Sequence, residues 1–322
     1  MKYACARLAR LAMLAGLAAS FAVGMVQAQA VVRTADPVKR GLHASDFPRA
    51  IPVAPNVYAY EDIREIGGET FATTNLFVVT REGVLLADAQ IDPAATRRLV
   101  DTIARITPQP IKYVVICSEH ADHTGGNISL PAGVTYLLHP AAKAAFERRA
   151  AAPNAPAGAW KLPADAETVS DKKVIRMGGE EIQILFLGRA HTGSDLTVYL
   201  PKEKVFFLSE TYMNRVFPPM RTAYPSEWLA AVEKAETMKA RVYIPGHGFT
   251  ESPKVSVEEL HTFHKALQAV IDEATRLHNA GVGVEDAVKQ ANFGEYATWT
   301  GAKAQAQFAV RRVYDELDGK LK

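Results

Sequence analysis

The sequence predicts an α/β protein with helices on both faces of its sheet, in which strands dominate the middle of the chain and helices the end. Residues 113–117 are apolar throughout, as in a strand buried on both faces. Short strand and helix patterns alternate between residues 56 and 250, and from residue 257 onward the apolar spacing is helical. These three observations predict the fold class.

The first 30 residues predict a cleavable signal peptide. A positive start through Arg10 precedes an apolar run over 11–26, and small residues follow at Ala28 and Ala30. The alternative is an uncleaved membrane anchor, because the run approaches the length of a short span. We expect cleavage, a periplasmic or secreted protein, and no stable membrane insertion afterwards.

Composition and charge exclude several classes of protein. The 322 residues are 48% hydrophobic and 22% charged, which excludes disorder and coiled coil. The net charge is +2, but the first 28 residues hold three cations and no acid, so the remainder carries −1. No nucleic-acid partner is therefore expected. Only Cys117 remains beyond the leader, so no internal disulfide can form. The sequence does not indicate an oligomeric state.

The elements follow in order. Residues 31–55 lack periodicity and predict an N-terminal arm. Short apolar runs predict strands at 56–60, 75–80 and 83–87, and the last two are spaced as in a tight hairpin. Proline near the start and apolar residues at helical spacing predict a helix over 93–106, ahead of the buried strand at 113–117.

The second half of the chain repeats this alternation. A strand at 134–138 and a helix at 141–149 precede a loop rich in Ala and Pro at 150–158. Further strands are predicted at 173–176, 182–187, 196–200, 204–208 and 241–244. Helices are predicted at 226–238, where Ser226 begins a capped start, and at 257–279, 284–291 and 302–318. We expect a domain over 56–250, with 251–322 as a helical extension packed on it.

Side chains that can bind metal follow four of the predicted strands. The run Ser118-Glu119-His120-Ala121-Asp122-His123 comes after the buried strand, and the later strands lead to His191, Glu210 and His247. Nitrogen and oxygen donors of these types suit zinc. Strand-end loops of an α/β sheet converge on one cleft. The sequence therefore predicts a metal site there, and Gly125-Gly126 is expected to turn the backbone away from it.

At these residues the sequence resembles the metallo-β-lactamase superfamily, whose first motif is His-x-His-x-Asp-His and whose later motifs are a loop His, a bridging acid and a Pro-Gly-His-Gly turn. The resemblance runs from about residue 55 to 250. It implies a four-layered αβ/βα sandwich with one or two Zn²⁺ per chain. It also implies ligand roles, with His120 and His191 in the first metal position, Asp122, His123 and His247 in the second, Glu210 as the bridging acid and Asp88 in support.

The chain departs from the family pattern at two positions. Ser118 replaces the first motif histidine, and Glu210 stands where Asp or Cys is usual. Glu210 is one methylene longer than Asp and could either bridge from further back or compensate as a stronger ligand for the first metal. A serine hydroxyl is a poor ligand, so we expect a weakened first position and assign Ser118 a supporting role. The mono-zinc lactamase subclass also lacks that histidine, having Asn there. The departure therefore leaves hydrolysis possible and makes an asymmetric site a serious alternative.

The resemblance implies a hydrolase for a small-molecule carbonyl compound such as a β-lactam, lactone, ester or thioester. A bound metal lowers the pKa of water from about 15.7 toward about 7 and so supplies hydroxide. Asp122 is expected to be catalytic, orienting that water or accepting its proton. Tyr212, Asn214 and Arg215 could line the substrate mouth, and plain loop packing is the alternative.

Two other functions stay open at this point. One is a non-enzymatic periplasmic accessory protein with a degraded metal site, supported by the loss of the histidine at Ser118. The other is a mononuclear-iron sulfur dioxygenase, which resembles the hydrolases but uses the first motif histidine. Retention of Asp122, His123, His191 and His247 argues against the first, and Ser118 argues against the second.

Overall fold

The computed structural model describes residues 32–66, 68–153, 162 and 165–321. The predicted signal peptide lies outside these residues, as does most of the predicted loop at 150–158. Among the helices so described, none combines the length and the apolar character needed to cross a membrane.

The described residues form a sheet of twelve strands. The strands are β1 (Arg49–Ala54), β2 (Val57–Ile66), β3 (Glu69–Thr80), β4 (Gly83–Ala87), β5 (Ile111–Ile116), β6 (Thr135–Leu138), β7 (Glu167–Thr168), β8 (Lys172–Met177), β9 (Glu180–Phe186), β10 (Leu196–Leu200), β11 (Val205–Met213) and β12 (Val242–His247).

The described helices lie close to the predicted ones. They are α1 (Pro93–Ile106), α2 (Ala121–Thr124), α3 (Pro140–Ala150), α4 (Pro225–Thr237), α5 (Pro253–Asn279), α6 (Val284–Gln290) and α7 (Ala302–Leu317), with 3₁₀ turns at Ala44–Asp46, Asn127–Ser129 and Gly294–Thr298. The short α2 was not predicted, because its four residues form a single turn and are too few to show a helical period.

The sheet has two halves that meet at one pair of strands. One half has the order β7-β6-β5-β4-β3, with β2 and β1 added beside β3, and the other has the order β12-β11-β10-β9-β8. The halves join where His247 of β12 pairs with Thr73 of β3. The candidate ligand His247 therefore lies at the junction of the two halves.

Alternating side chains divide the molecule into four layers. Leu85 and Ala87 of β4 share a core with Phe207 of β11, between the two halves of the sheet. Their neighbours Val84 and Leu86 pack against α1 and α3, and on the other side Phe206 and Leu208 pack against α4, α5 and α7. Strands that bury both faces read as continuous apolar runs, as the sequence predicted for residues 113–117. The expected αβ/βα sandwich is confirmed.

The long hairpin of β2 and β3 was predicted only in part. The strands pair from Val57 with Val78 through to Ile66 with Glu69, whereas short apolar runs predicted only 56–60 and 75–80. Within the predicted arm, β1 pairs with β2 alone and contains Pro52. Proline is tolerated in such an edge strand, and it hides the strand pattern from the sequence.

The C-terminal helices form one outer layer and reach the cleft. Trp228 of α4, Phe263 of α5 and Val310 of α7 share a core. Two backbone contacts fix the start of α7: the N–H of Gly301 donates to Glu69 Oε2 at 2.8 Å, and the N–H of Phe217 donates to the carbonyl of Thr300 at 2.9 Å. This anchoring places the first turn of α7 beside the predicted metal site.

Candidate metal centre

The strand ends bring all six predicted ligands together. Asp122 and His123 lie on α2 directly after β5, Glu210 lies within β11, and His247 is the last residue of β12. His120 precedes α2, and His191 lies in the loop between β9 and β10. Their side chains form two groups that share Glu210, and within each group the possible ligand atoms lie within 4.8 Å of one another.

The first group consists of His120, His191 and Glu210. His120 Nδ1 lies 3.1 Å from His191 Nε2 and 3.0 Å from Glu210 Oε2, and His191 Nε2 lies 3.5 Å from Glu210 Oε1. Two imidazole nitrogens and one carboxylate therefore face a common point.

The second group consists of Asp122, His123, Glu210 and His247. His247 Nε2 lies 3.1 Å from Asp122 Oδ2, 3.2 Å from Glu210 Oε1 and 3.4 Å from His123 Nε2. Asp122 is also held from outside the group, because Arg64 donates a hydrogen bond to its Oδ2 at 2.6 Å.

Partners outside the second group orient its two imidazoles. Asp88 Oδ2 lies 3.0 Å from His123 Nδ1, and the carbonyl of Ala72 lies 3.4 Å from His247 Nδ1. Each outer acceptor favours the tautomer with a proton on Nδ1 and a lone pair on Nε2. The two Nε2 lone pairs face each other beside the carboxylates of Asp122 and Glu210. Two nitrogen and two oxygen donors in this arrangement fit a zinc ion.

Asp88 connects several parts of the site. Its Oδ2 also accepts a hydrogen bond from Ser209 Oγ at 2.6 Å, and its Oδ1 accepts from the backbone N–H of Cys117 at 2.7 Å. The residue is fully buried and has a φ of 62°. Asp tolerates this left-handed conformation better than most side chains. The structure thus places Asp88 where the sequence analysis expected a supporting acid.

Charge sets the protonation of the metal-free groups. Burial raises the pKa of Glu210, but the histidines around it hold that pKa well below its usual range. Burial lowers the pKa of His120 and His123, yet the adjacent carboxylates raise both to about 9. His191 differs, because burial outweighs Glu210 and lowers its pKa to about 4. In the metal-free protein, protons on His120 and His123 thus supply the positive charge that a bound metal cation would supply.

The two departures from the family pattern contact each other. Ser118 Oγ donates a short hydrogen bond to Glu210 Oε2, and both residues are buried. The longer Glu side chain therefore reaches toward the position of the missing histidine. Ser118 therefore contacts a candidate ligand directly, and its supporting role stays a prediction.

Gly125 and Gly126 form the predicted turn after the motif and also allow a close approach. They are turn residues between α2 and the 3₁₀ turn at Asn127–Ser129, and neither has a positive φ, since Gly125 adopts −61° and Gly126 −94°. A Cβ on Gly126 would lie 1.9 Å from Thr96 Oγ1, and one on Gly125 would lie 2.1 Å from the carbonyl oxygen of Ile91. The glycines therefore turn the backbone and let the motif approach the start of α1 closely.

A cleft of about 280 Å³ opens on the two groups. Its walls are mostly apolar and come from β3, β11 and the loop after it, and the first turn of α7, among them Phe71, Met213, Val216, Pro219 and Ala304. Arg64, Arg221 and Gln305 add polar groups to this lining. No local sequence pattern indicates Arg64 or Gln305, because each reaches the cleft through contacts with residues distant along the chain.

The residues expected at the substrate mouth lie elsewhere. Tyr212 and Asn214 are buried, and the guanidinium of Arg215 pairs with Glu259 at 2.5 Å. The described lining of the cleft includes none of the three. The alternative of plain loop packing fits Tyr212 and Asn214, because Tyr212 belongs to the helical-layer core and Asn214 donates to the carbonyl of Phe249 at 2.8 Å.

Comparison with known proteins identifies the family. A model of the Metallo-beta-lactamase superfamily matches residues 69–247 of this chain. The chain therefore belongs to the metallo-β-lactamase superfamily. The match includes all six candidate ligands together with Asp88 and Ser118, and it ends before α5.

Individual relatives are distant. Metallo-beta-lactamase IND-1 from Chryseobacterium indologenes is 26% identical over 208 residues, which cover 63% of this chain and 82% of the relative. Linear primary-alkylsulfatase from Pseudomonas sp. (strain ATCC 19151) is 21% identical over 253 residues, or 65% of this chain and 48% of the relative. A metallo-beta-lactamase from Pontibacter korlensis superposes with a TM-score of 0.58 at 21% identity, covering 67% of this chain and 98% of its own. The structural likeness shows the fold, and the family supports metallohydrolase activity in general.

Proposed function

We propose that this chain is a zinc-dependent hydrolase of a β-lactam, lactone, ester or thioester. The observation that carries the proposal is the pair of donor groups that share Glu210. One or two zinc ions, when bound there, would act as a Lewis acid and lower the pKa of water. The relatives named as lactamases favour a β-lactam, whereas the relative named as an alkylsulfatase keeps other substrates open.

The chain's own residues have distinct roles in this proposal. His120 and His191 would hold the first metal position, His123 and His247 would hold the second, and Glu210 lies between the two groups. Asp122 would bind at the second position and orient the attacking water. Burial raises the pKa of Asp122, but the charge of His123 and, to a smaller extent, that of Arg64 hold this pKa below its usual range. The carboxylate is therefore ionised and suited to accept a hydrogen bond from that water.

Metal content tests the proposal most directly. Mature protein purified without chelator or affinity metal is analysed by elemental mass spectrometry and assayed on a β-lactam, a lactone, an ester and a thioester. Zinc that is required for turnover of at least one of the four supports the proposal. Absence of bound metal after zinc is offered would contradict it and favour the accessory protein.

A second candidate rests on the composition of the first group. His120, His191 and Glu210 are two histidines and one carboxylate, a ligand set that also suits non-haem iron. The same elemental analysis distinguishes the candidates, because a sulfur dioxygenase would contain iron and consume oxygen.

Export belongs to the proposal as well. We infer a periplasmic or secreted protein from the signal-like residues 1–30. Intact-mass measurement of protein recovered from the periplasm or medium tests this inference, and the mature chain is expected to begin after Ala28 or Ala30. A chain that keeps its first 28 residues would contradict it.

A further inference from the structure

A second cavity, here called the basic pocket, adjoins the cleft. It has a volume of about 310 Å³, and its lining includes Arg148, Arg221, Arg312, Thr192, Ser194 and Glu119. Arg148 belongs to α3, Arg312 to α7 and Thr192 to the loop of His191. The candidate ligands lie outside this lining, so the basic pocket is separate from the metal centre.

Positive charge in the basic pocket is largely unmatched. Glu119 is the acid among the residues described as lining it, and its carboxylate already pairs with Arg149 at 3.5 Å. In the part of the chain that the structure describes, Arg148 and Arg221 form no ion pair within 4.0 Å. Guanidinium groups in such surroundings attract oxyanions, which they bind with two parallel N–H donors.

The pocket is built rather than loosely arranged. The guanidinium of Arg221 lies 3.5 Å from the ring centre of Phe308, and that of Arg312 donates to the carbonyls of Ala223 and Thr222 at 2.5 and 3.3 Å. Thr192 and Ser194 place two buried hydroxyls 3.1 Å apart. One of these hydroxyls donates to the other, so one hydroxyl proton remains for an anion, beside the guanidiniums of Arg221 and Arg312.

The basic pocket lies next to the first donor group. Thr222 and Arg221 line both cavities. Thr222 Oγ1 donates to the carbonyl of His191 at 3.1 Å and lies 3.5 Å from His120 Nε2. A molecule that occupies both cavities therefore passes beside the first donor group.

We propose that the basic pocket binds an oxyanion of the substrate, a carboxylate, sulfate or phosphate group separated from the scissile carbonyl, while the apolar cleft receives an uncharged portion. This assignment of substrate class rests on the proposed hydrolytic function. It makes Arg148 and Arg221 determinants of specificity that act away from the bond being cleaved.

Binding of a simple anion tests the pocket without any catalysis. Inorganic phosphate is titrated calorimetrically into metal-free protein at constant ionic strength, and the variant carries Arg148→Gln together with Arg221→Gln. Loss of charge-assisted hydrogen bonds predicts binding weaker by about tenfold or more. The control carries Arg97→Gln together with Arg105→Gln, which removes the same two charges from the exposed face of α1, and it is expected to change the affinity less than about twofold. Equal affinity in the double variant, or an equal loss in the control, would overturn the proposal.

Hydrolysis of two matched esters then tests the link to substrate. Zinc-loaded protein is assayed on mono-p-nitrophenyl glutarate, which carries a free carboxylate, and on p-nitrophenyl valerate, which has the same acyl length without it. The single variant Arg148→Gln, whose residue lines the basic pocket and not the cleft, is expected to lose about tenfold in kcat/KM on the glutarate ester and to keep its value on the valerate. Equal losses on both esters overturn the specificity role while hydrolysis stands. Arginine-dependent phosphate binding with neither ester cleaved supports the pocket and counts against the hydrolase.

Discussion

Ser118 donates a hydrogen bond to Glu210, so the two positions at which this chain departs from its family are in direct contact. Replacing one residue of such a pair without the other leaves either a gap or a crowded site. The pair explains how a chain without the first motif histidine keeps a carboxylate between two donor groups. It also predicts that the two positions depend on each other.

Replacing the two residues, singly and together, tests this dependence. Ser118→His alone forces an imidazole against Glu210 and is expected to cost about 1–3 kcal/mol of stability through overpacking. Glu210→Asp alone withdraws the carboxylate by one methylene and weakens the first metal position. The double variant restores the common ligand pattern and is expected to bind more zinc per chain than either single variant. Elemental mass spectrometry measures the stoichiometry, and additive effects of the two changes would refute the coupling.

Removal of His247 tests the second group. His247→Ala takes away a nitrogen that lies 3.1 Å from Asp122 and 3.2 Å from Glu210. We expect loss of tight zinc binding and of turnover, because two carboxylates and one imidazole remain. Chelator competition and steady-state kinetics provide the two readouts. The control is His43→Ala, which removes an exposed histidine that lies outside the possible metal groups of the described residues. Unchanged activity in His247→Ala would rule out the assigned centre.

The supporting role of Asp88 has its own test. Asp88→Asn keeps the size of the side chain and tolerates the positive φ. Its amide has a single oxygen, whereas the carboxylate uses one oxygen for His123 and Ser209 and the other for the N–H of Cys117. The variant therefore loses one of these two acceptors. Loss of an outer partner of this kind typically weakens metal binding by roughly 10- to 100-fold. The expected result is a fall in zinc affinity of that size while the circular dichroism spectrum stays unchanged. Wild-type affinity in Asp88→Asn would show that Asp88 is structural only.

Much of this fold could be predicted from local patterns, and the exceptions share a physical cause. Continuous apolar runs identified strands buried on both faces, and the motif after 113–117 identified the ligands. The second half of β2 was missed because its polar residues Glu61 and Asp62 are buried. Their charges are met by Arg49 and Arg98, at 2.8 and 2.6 Å, through contacts that only the folded chain creates. Local periodicity cannot reveal such pairs.

The same cause limited the prediction of the site. The six candidate ligands stand in short motifs after predicted strand ends, so the order of the elements predicted their convergence. In the structure β11 and β12 run further than predicted, and Glu210 lies within β11 while His247 ends β12. The contact between Arg64 and Asp122 spans 58 residues and joins two elements that have no common pattern. Arg215, in contrast, was expected at the substrate mouth because it follows Glu210 closely in sequence, yet Glu259 on α5 draws it away from the cleft.

A buried acid near the first group makes stability depend on pH. Asp195 is buried, and burial together with Glu210 raises its pKa to about 7, compared with about 3.9 in an unfolded chain. The folded state therefore holds the extra proton between these values, and the contribution of Asp195 to the free energy of unfolding of metal-free protein is expected to fall as pH rises from about 4 to about 7. His191, whose pKa is lowered to about 4, contributes with the opposite sign, so the wild type is compared with Asp195→Asn. Asp195→Asn keeps an acceptor for the N–H of Thr192, which lies 2.6 Å from the carboxylate, and removes this dependence. Denaturant titrations across that range measure the slope, and equal slopes in both proteins would refute the assignment.

We expect Arg64 to stabilise Asp122 chiefly in the metal-free protein. Its guanidinium donates to Asp122 Oδ2 at 2.6 Å, and both side chains are mostly buried, with 12% and 15% of their surfaces exposed. In metal-free protein Arg64→Gln leaves the carboxylate without this charged donor, at an expected cost of about 1–3 kcal/mol. In zinc-loaded protein the cation compensates much of that loss. Zinc should therefore raise the melting temperature of Arg64→Gln more than that of the wild type. Differential scanning fluorimetry with and without zinc gives the two increments, and equal increments would mean that Arg64 and the metal do not share Asp122.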